Sequence, residues 1–137
     1  MSAATDLAVS RCKVSEGFRP TVYLDTVGKR TIGYGCNLDA GWSEWLAAQV
    51  LALQLQEAEA DCDGQPWYTA ADAVRQSVLV ELRFEMGLGG LLQFHEMLAA
   101  CEAQDWAMAG AQLQASAWFT QVGTRGPPLV RLLANGG

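Results

Sequence analysis

The sequence predicts an α+β fold in two lobes, mainly helical, with a small antiparallel β-hairpin sheet near the N-terminus. Three observations lead there. Apolar residues recur at helical spacing through most of the chain after Ser43. Strand-forming residues cluster on both sides of a turn-like stretch between Phe18 and Asn37. The chain has 137 residues, half of them hydrophobic, which fits one domain with its own core. We therefore expect a single domain over 1–137. Its small β lobe spans about 17–42, and its helical lobe is built from 1–16 and 43–137.

The elements follow in order. Ala4, Ala8 and Cys12, widened by Leu7 and Val9, predict a helix over 3–13 that stops near Gly17. Thr21 to Leu24 and Thr31 to Tyr34 read as strands around the turn Asp25-Thr26-Val27-Gly28-Lys29. Gly33 and Gly35 interrupt the second strand and point to a bulge or a close backbone approach. Ser43 caps a helix running to about Asp61, with Leu46, Val50, Leu53 and a neighbouring row of Leu51, Leu55 and Ala58 as its apolar face. Asp63-Gly64-Gln65-Pro66 ends it.

Thr69, with Asp72 three residues on, is read as the cap of a central core helix. Val74, Val78, Leu82 and Met86 form one face of that helix, and Gly87, Gly89 and Gly90 end it. Shorter helices are expected over 94–103 and, starting after Asp105 as its cap, to about 115. A loop should cover 124–128 and a final turn or helix 129–133. A cleft between two such lobes is the natural place for a ligand.

The net charge of −6 argues against nucleic acid, since phosphate binding needs clustered Lys and Arg. Cys12, Cys36, Cys62 and Cys101 form no C-x-x-C pair, a poor pattern for zinc, and are read as free buried cysteines. The first ten residues carry Asp6 and no apolar run, so neither a secretory signal nor a membrane anchor is expected there. No stretch approaches the roughly 18 apolar residues needed to span a bilayer. We expect a soluble protein made in the cytoplasm, without membrane insertion.

Two carboxylates could carry chemistry. Glu16 stands at the end of the first helix, where the macrodipole opposes an anion, a setting suited to a general acid that must hold a proton. Asp25 opens the turn nine positions later, and Thr31 lies six further on. Cleaving a glycosidic bond needs two carboxyl groups across the linkage, with a hydroxyl to help hold water if the second acts as a base. The residue types fit, although a Glu at a helix end and an Asp at a turn are also common for structural reasons.

Longer motifs add specificity. Ser15-Glu16-Gly17-Phe18-Arg19, Tyr23-Leu24-Asp25, Gly28 and Thr31-Ile32-Gly33-Tyr34-Gly35 together resemble the signature of glycoside hydrolase family 24, the phage lysozymes or endolysins. The similarity continues through Asp72-Ala73-Val74-Arg75, Phe84-Glu85-Met86-Gly87, Trp106, Trp118-Phe119 and Arg125. It implies a two-lobed lysozyme-like fold with the first helix packing on the larger lobe.

The resemblance also implies a muramidase that cuts the β-1,4 linkage between N-acetylmuramic acid and N-acetylglucosamine in peptidoglycan, with inversion. Glu16 would be the general acid, Asp25 the second carboxylate, and Thr31 a holder of the attacking water. It further implies a phage enzyme that lyses the host, made in the host cytoplasm and reaching periplasmic peptidoglycan through a holin-type pore. Its partner is the glycan strand; no cofactor, metal or nucleic acid is expected, and the chain should be a monomer.

Candidate sugar contacts are Tyr34, Glu85, Gln112 and Arg125. Glu85 is a departure, standing where relatives often have Gln or Asn. Arg125 could equally form a surface ion pair, Gln112 sit on a solvated helix face, and Tyr34 pack on its strand. His95 reads as structural, and no spacing supports pairing it with Cys36 as a nucleophile. The acidic charge removes long-range attraction to an anionic cell wall and leaves short-range contacts to bind it. The alternatives are a lytic transglycosylase, which needs the Glu but no water-activating Asp, and a glycan-binding module without turnover.

Overall fold

The structure, a computed structural model, describes residues 1–137. It is mainly helical with one three-stranded antiparallel sheet, as the sequence predicts. It divides into two compact units, Met1–Gln49 and Val50–Gly137.

The first unit begins with helix α1, Ala3–Glu16. The Ser2 hydroxyl accepts from the Thr5 amide at its start, and Gly17, with φ +71°, ends it. The expected apolar stripe on this helix buries nothing: no residue of α1 is buried, and Leu7 and Val14 are exposed. Helix α1 and the three strands belong to this unit.

Strands β1 (Arg19–Leu24), β2 (Arg30–Gly33) and β3 (Cys36–Asn37) pair in that order. Tyr23 faces Thr31 and Leu24 faces Arg30, while the register shifts between Arg19 and Tyr23. Strand β3, which the sequence reading did not contain, places Asn37 against Thr31. The return after it is stapled by polar groups. Asn37 Oδ1 accepts from the Asp39 amide at 2.9 Å, and Asp39 accepts from the Arg30 amide at 2.9 Å and from Arg30 Nε at 2.8 Å. The Arg30 amide, helped by the guanidinium, holds the Asp39 carboxyl below its usual range.

Helix α2, Glu44–Cys62, starts in the first unit, with Ser43 Oγ accepting from the Leu46 amide, and ends in the second. It buries only Ala58 and Cys62, and leaves Leu51 and Leu53 exposed.

The second unit carries the core. Helix α3 is the single turn Pro66–Thr69, which buries Trp67 and Tyr68. Helix α4, Ala73–Leu92, buries Val78, Leu79, Val80, Leu82 and Leu91. Its cap is Asp72, which accepts from the Arg75 amide at 3.0 Å; Thr69 belongs to the preceding turn and does not cap it. The glycines after Met86 do not end it either. Gly87 takes φ +76°, ψ 167° and kinks the helix, which resumes as far as Leu92.

Helices α5 (His95–Glu102), α6 (Trp106–Gln114), α7 (Ala117–Val122) and α8 (Gly126–Asn135) complete the unit. The loop expected over 124–128 is a 3₁₀ turn, Gly123–Arg125, followed directly by α8, whose first turn accommodates Pro127 and Pro128. Helices α6 and α8 approach so closely that a Cβ on Gly110 would lie 2.7 Å from that of Ala134. Arg75 closes the end of α8, donating to the Leu133 and Ala134 carbonyls at 2.8 and 3.0 Å while stacking over Trp106.

All four cysteines are free, but only Cys62 and Cys101 are buried; Cys12 is exposed. Burial pushes both buried thiols up to about 11, with Asp61 adding to the effect at Cys62. No helix is long and apolar enough to cross a membrane.

Candidate active site

The first unit brings Glu16, Asp25, Thr31 and Tyr34 onto one small scaffold. Glu16 is the last residue of α1, and its exposed carboxylate lies directly against the backbone of Gly35. A Cβ built on Gly35 would stand 2.6 Å from Glu16 Oε2 and 2.7 Å from its Cδ. Gly35 also adopts φ +78°, a conformation costly for other residues. The glycine pattern had signalled a close approach at this strand; the structure identifies the approaching group as Glu16.

Asp25 is fixed by its own turn. Its Oδ1 accepts from the Val27 amide at 3.0 Å and the Lys29 amide at 2.8 Å. Its amide donates to the Lys29 carbonyl at 2.9 Å. One carboxylate oxygen is thereby locked, while Oδ2 makes no hydrogen bond within the protein. The structural role the sequence allowed for this Asp is real, and it leaves half of the group available for chemistry.

Thr31 is the only buried polar side chain, at 4% exposure. Its hydroxyl donates to the same Lys29 carbonyl at 3.0 Å, tying it to the Asp25 turn. With its proton committed, the oxygen can still accept, so it can orient a water through one of that water's O–H bonds. Tyr34 is exposed; its ring lies 5.5 Å from that of Phe18, with Lys13 Nζ 5.7 Å from its centroid.

The other sequence-predicted contacts lie in the second unit. Glu85 and Arg125 come together as an ion pair, and Arg125 also reaches Glu81 at 3.2 Å. Trp118 Nε1 donates to Glu85 Oε2 at 3.0 Å. Both members of the pair are thus engaged with protein partners. Arg125 borders a cavity of about 620 Å³ with Leu51, Leu55, Val80, Glu81 and Phe84. Gln112 lies apart from these, in a depression of about 410 Å³ that also takes in Phe94, the exposed His95 and Ser116; its amide meets Met108 Sδ at 3.6 Å. No group of three or more His, Cys, Asp or Glu side chains is placed to share a metal ion.

The sequence reading missed Gly35 as the seat of Glu16, Lys13 and Phe18 beside Tyr34, and Asp39 as the staple of the hairpin return. Only Gly35 left a usable signal, since the others depend on contacts that no local pattern encodes.

The family model described as phage lysozyme matches residues 13–132, a span that includes Glu16, Asp25, Thr31, Glu85, Gln112 and Arg125. The chain is also similar to pre-baseplate central spike protein Gp5 of Enterobacteria phage T4, at 28% identity over 88% of this chain. It spans 26% of that relative's length. The chain belongs to the phage lysozyme family.

Proposed function

We propose that the chain hydrolyses peptidoglycan as a muramidase, cutting the β-1,4 linkage between N-acetylmuramic acid and N-acetylglucosamine. The observation that carries this reading is the seating of the Glu16 carboxylate against Gly35, within the matched family span. Glu16 is the general acid that protonates the leaving glycosidic oxygen. Asp25, held at Oδ1 by two amides, turns its free oxygen to the attacking water or to the positive charge developing on the sugar. Thr31 accepts one O–H of that water and so aims its lone pair. As water adds at the anomeric carbon and gives up a proton to Asp25, the bond to the leaving sugar breaks with its electron pair on the oxygen that Glu16 protonates, leaving a new reducing end.

The proposed setting is lysis of the host from within, with the enzyme made in the host cytoplasm and admitted to periplasmic peptidoglycan by a holin-type pore. A second setting is favoured by one finding. The similar T4 protein is named as a central spike, and this chain spans only a quarter of its length, so a particle-borne lysozyme module is the competing reading. Probing purified phage particles for the chain separates the two.

The chemistry is tested by turbidity loss of outer-membrane-permeabilised Gram-negative cells, followed by mass analysis of the fragments. Clearing by the native chain with new reducing ends, and none by Glu16→Gln, is the expected result. Activity retained by Glu16→Gln overturns the mechanism. Anhydro-muramoyl ends reassign the enzyme as a lytic transglycosylase, and binding without clearing makes it a glycan-binding module.

A further inference from the structure

The charge of the chain is unevenly placed. The first unit is neutral, with five cations against five anions, so the entire −6 lies in the second unit. Three side chains of the first unit come from positions flanking Glu16 or its Gly35 seat and meet one another. Lys13 stands one helical turn before it on α1, Phe18 follows it by two residues, and Tyr34 precedes the Gly35 that seats its carboxylate. The Phe18 and Tyr34 rings lie 5.5 Å apart at 43°, and both are exposed, at 62% and 46%. Lys13 Nζ lies over the Tyr34 ring and forms no salt bridge, whereas Arg30 is tied to Asp39.

We propose that Lys13, Phe18 and Tyr34 form a sugar subsite beside Glu16 that recognises the carboxylate-bearing muramic side of the glycan strand. This rests on the muramidase reading and names a part of its substrate. A pyranose ring presents a face of C–H bonds that packs on an exposed aromatic ledge. The muramic residue differs from its neighbour by a lactyl group bearing a peptide with free carboxylates. Lys13 can meet such a carboxylate while keeping one side of its ammonium on the Tyr34 ring, since it carries three N–H donors. Lys13 thus supplies a local cation where the chain as a whole repels an anionic wall.

The test uses soluble peptide-bearing glycan strands and the full chain carrying Glu16→Gln, so that binding is read without turnover. Onto it are placed Lys13→Met, Lys13→Arg, Phe18→Ala, Tyr34→Ala and, as a control for lost charge elsewhere on α1, Arg11→Met. The same titrations are repeated in high salt and on strands whose carboxylates have been amidated. Lys13→Met should weaken binding about three- to fivefold at low salt, the range of an exposed charge pair, with the loss fading in high salt and absent on amidated strands. Lys13→Arg and Arg11→Met should bind as the parent does. Phe18→Ala and Tyr34→Ala should each weaken binding about five- to tenfold on both kinds of strand.

Unchanged binding by Lys13→Met overturns the proposal, as does an equal loss on amidated strands or an equal loss from Arg11→Met. Unchanged binding by both Phe18→Ala and Tyr34→Ala overturns the ledge. If the native chain binds strands through these residues but never cuts them, the muramidase reading fails and the subsite stands.

Discussion

Between Met1 and Gln49 a single side chain, Thr31, is buried, whereas every buried hydrophobic residue lies between Ala58 and Leu133. The second unit is held by apolar packing, with Leu79, Leu82, Leu91, Leu113 and Leu133 nearly closed off from solvent. The first is held by its backbone ladder and by side chains that satisfy turns: Asp25 over Val27 and Lys29, Asn37 over Asp39, and Asp39 over Arg30. It exposes Leu7, Val14, Phe18, Val22, Leu24, Val27 and Trp45. The carboxylates assigned to chemistry all belong to this weakly buried unit. A polar turn suits Asp25 because hydrogen bonds fix direction, which burial of hydrocarbon does not.

The largest expected effect breaks the packed side of the contrast. Leu82→Ala removes a fully buried side chain from α4 and should cost about 2–5 kcal/mol in denaturant unfolding. The Cys62 and Cys101 thiols, now buried and held up to about 11, should then react far faster with a thiol reagent, while Cys12 reacts readily in both proteins. Equal protection of Cys62 and Cys101 in the two proteins would mean that the core does not depend on α4.

A smaller effect on stability, and a larger one on turnover, is expected from Gly35→Ala in the first unit. The left-handed φ costs about 1–2 kcal/mol, and the new methyl would displace the Glu16 carboxylate, which as a side-chain end can move. A displacement near 1 Å can lower turnover about 100-fold. The expected outcome is lytic activity near background with a melting temperature only a few degrees lower. Full activity in Gly35→Ala would show that Glu16 does not work from this seat.

The smallest effect concerns Asp39. Its carboxyl is held below 3.8 chiefly by the Arg30 amide, so the folded state favours the ionised form. The stabilisation is therefore present above pH 3.8 and is lost as pH falls from there through the lowered folded value. Amide exchange at Arg30 and Leu38 should accelerate in that acid range, and Asp39→Asn should show the faster exchange at neutral pH. Exchange in α6 and α8 should follow neither change.

The sequence by itself determined the α+β class, the hairpin turn at Asp25, the caps at Ser43 and Asp105, and the order in which Glu16, Asp25 and Thr31 occur. These are local matters: a side chain accepting from an amide a few residues away, or a periodicity within one element. Tertiary structure decided the rest. Whether Thr69 or Asp72 caps α4 turned on the extra turn α3, and Gly87 became a kink because packing beyond it holds Leu91 buried. The apolar stripe of α1 was legible, but periodicity cannot say whether a partner surface covers it, and here none of it is buried. Arg125 became an ion-pair partner of Glu81 and Glu85, 44 and 40 positions earlier in the chain, and Gln112 went to a different depression. Glu16 met Gly35 across the hairpin. Contacts between distant residues depend on how whole elements pack, and no spacing along the chain encodes that packing.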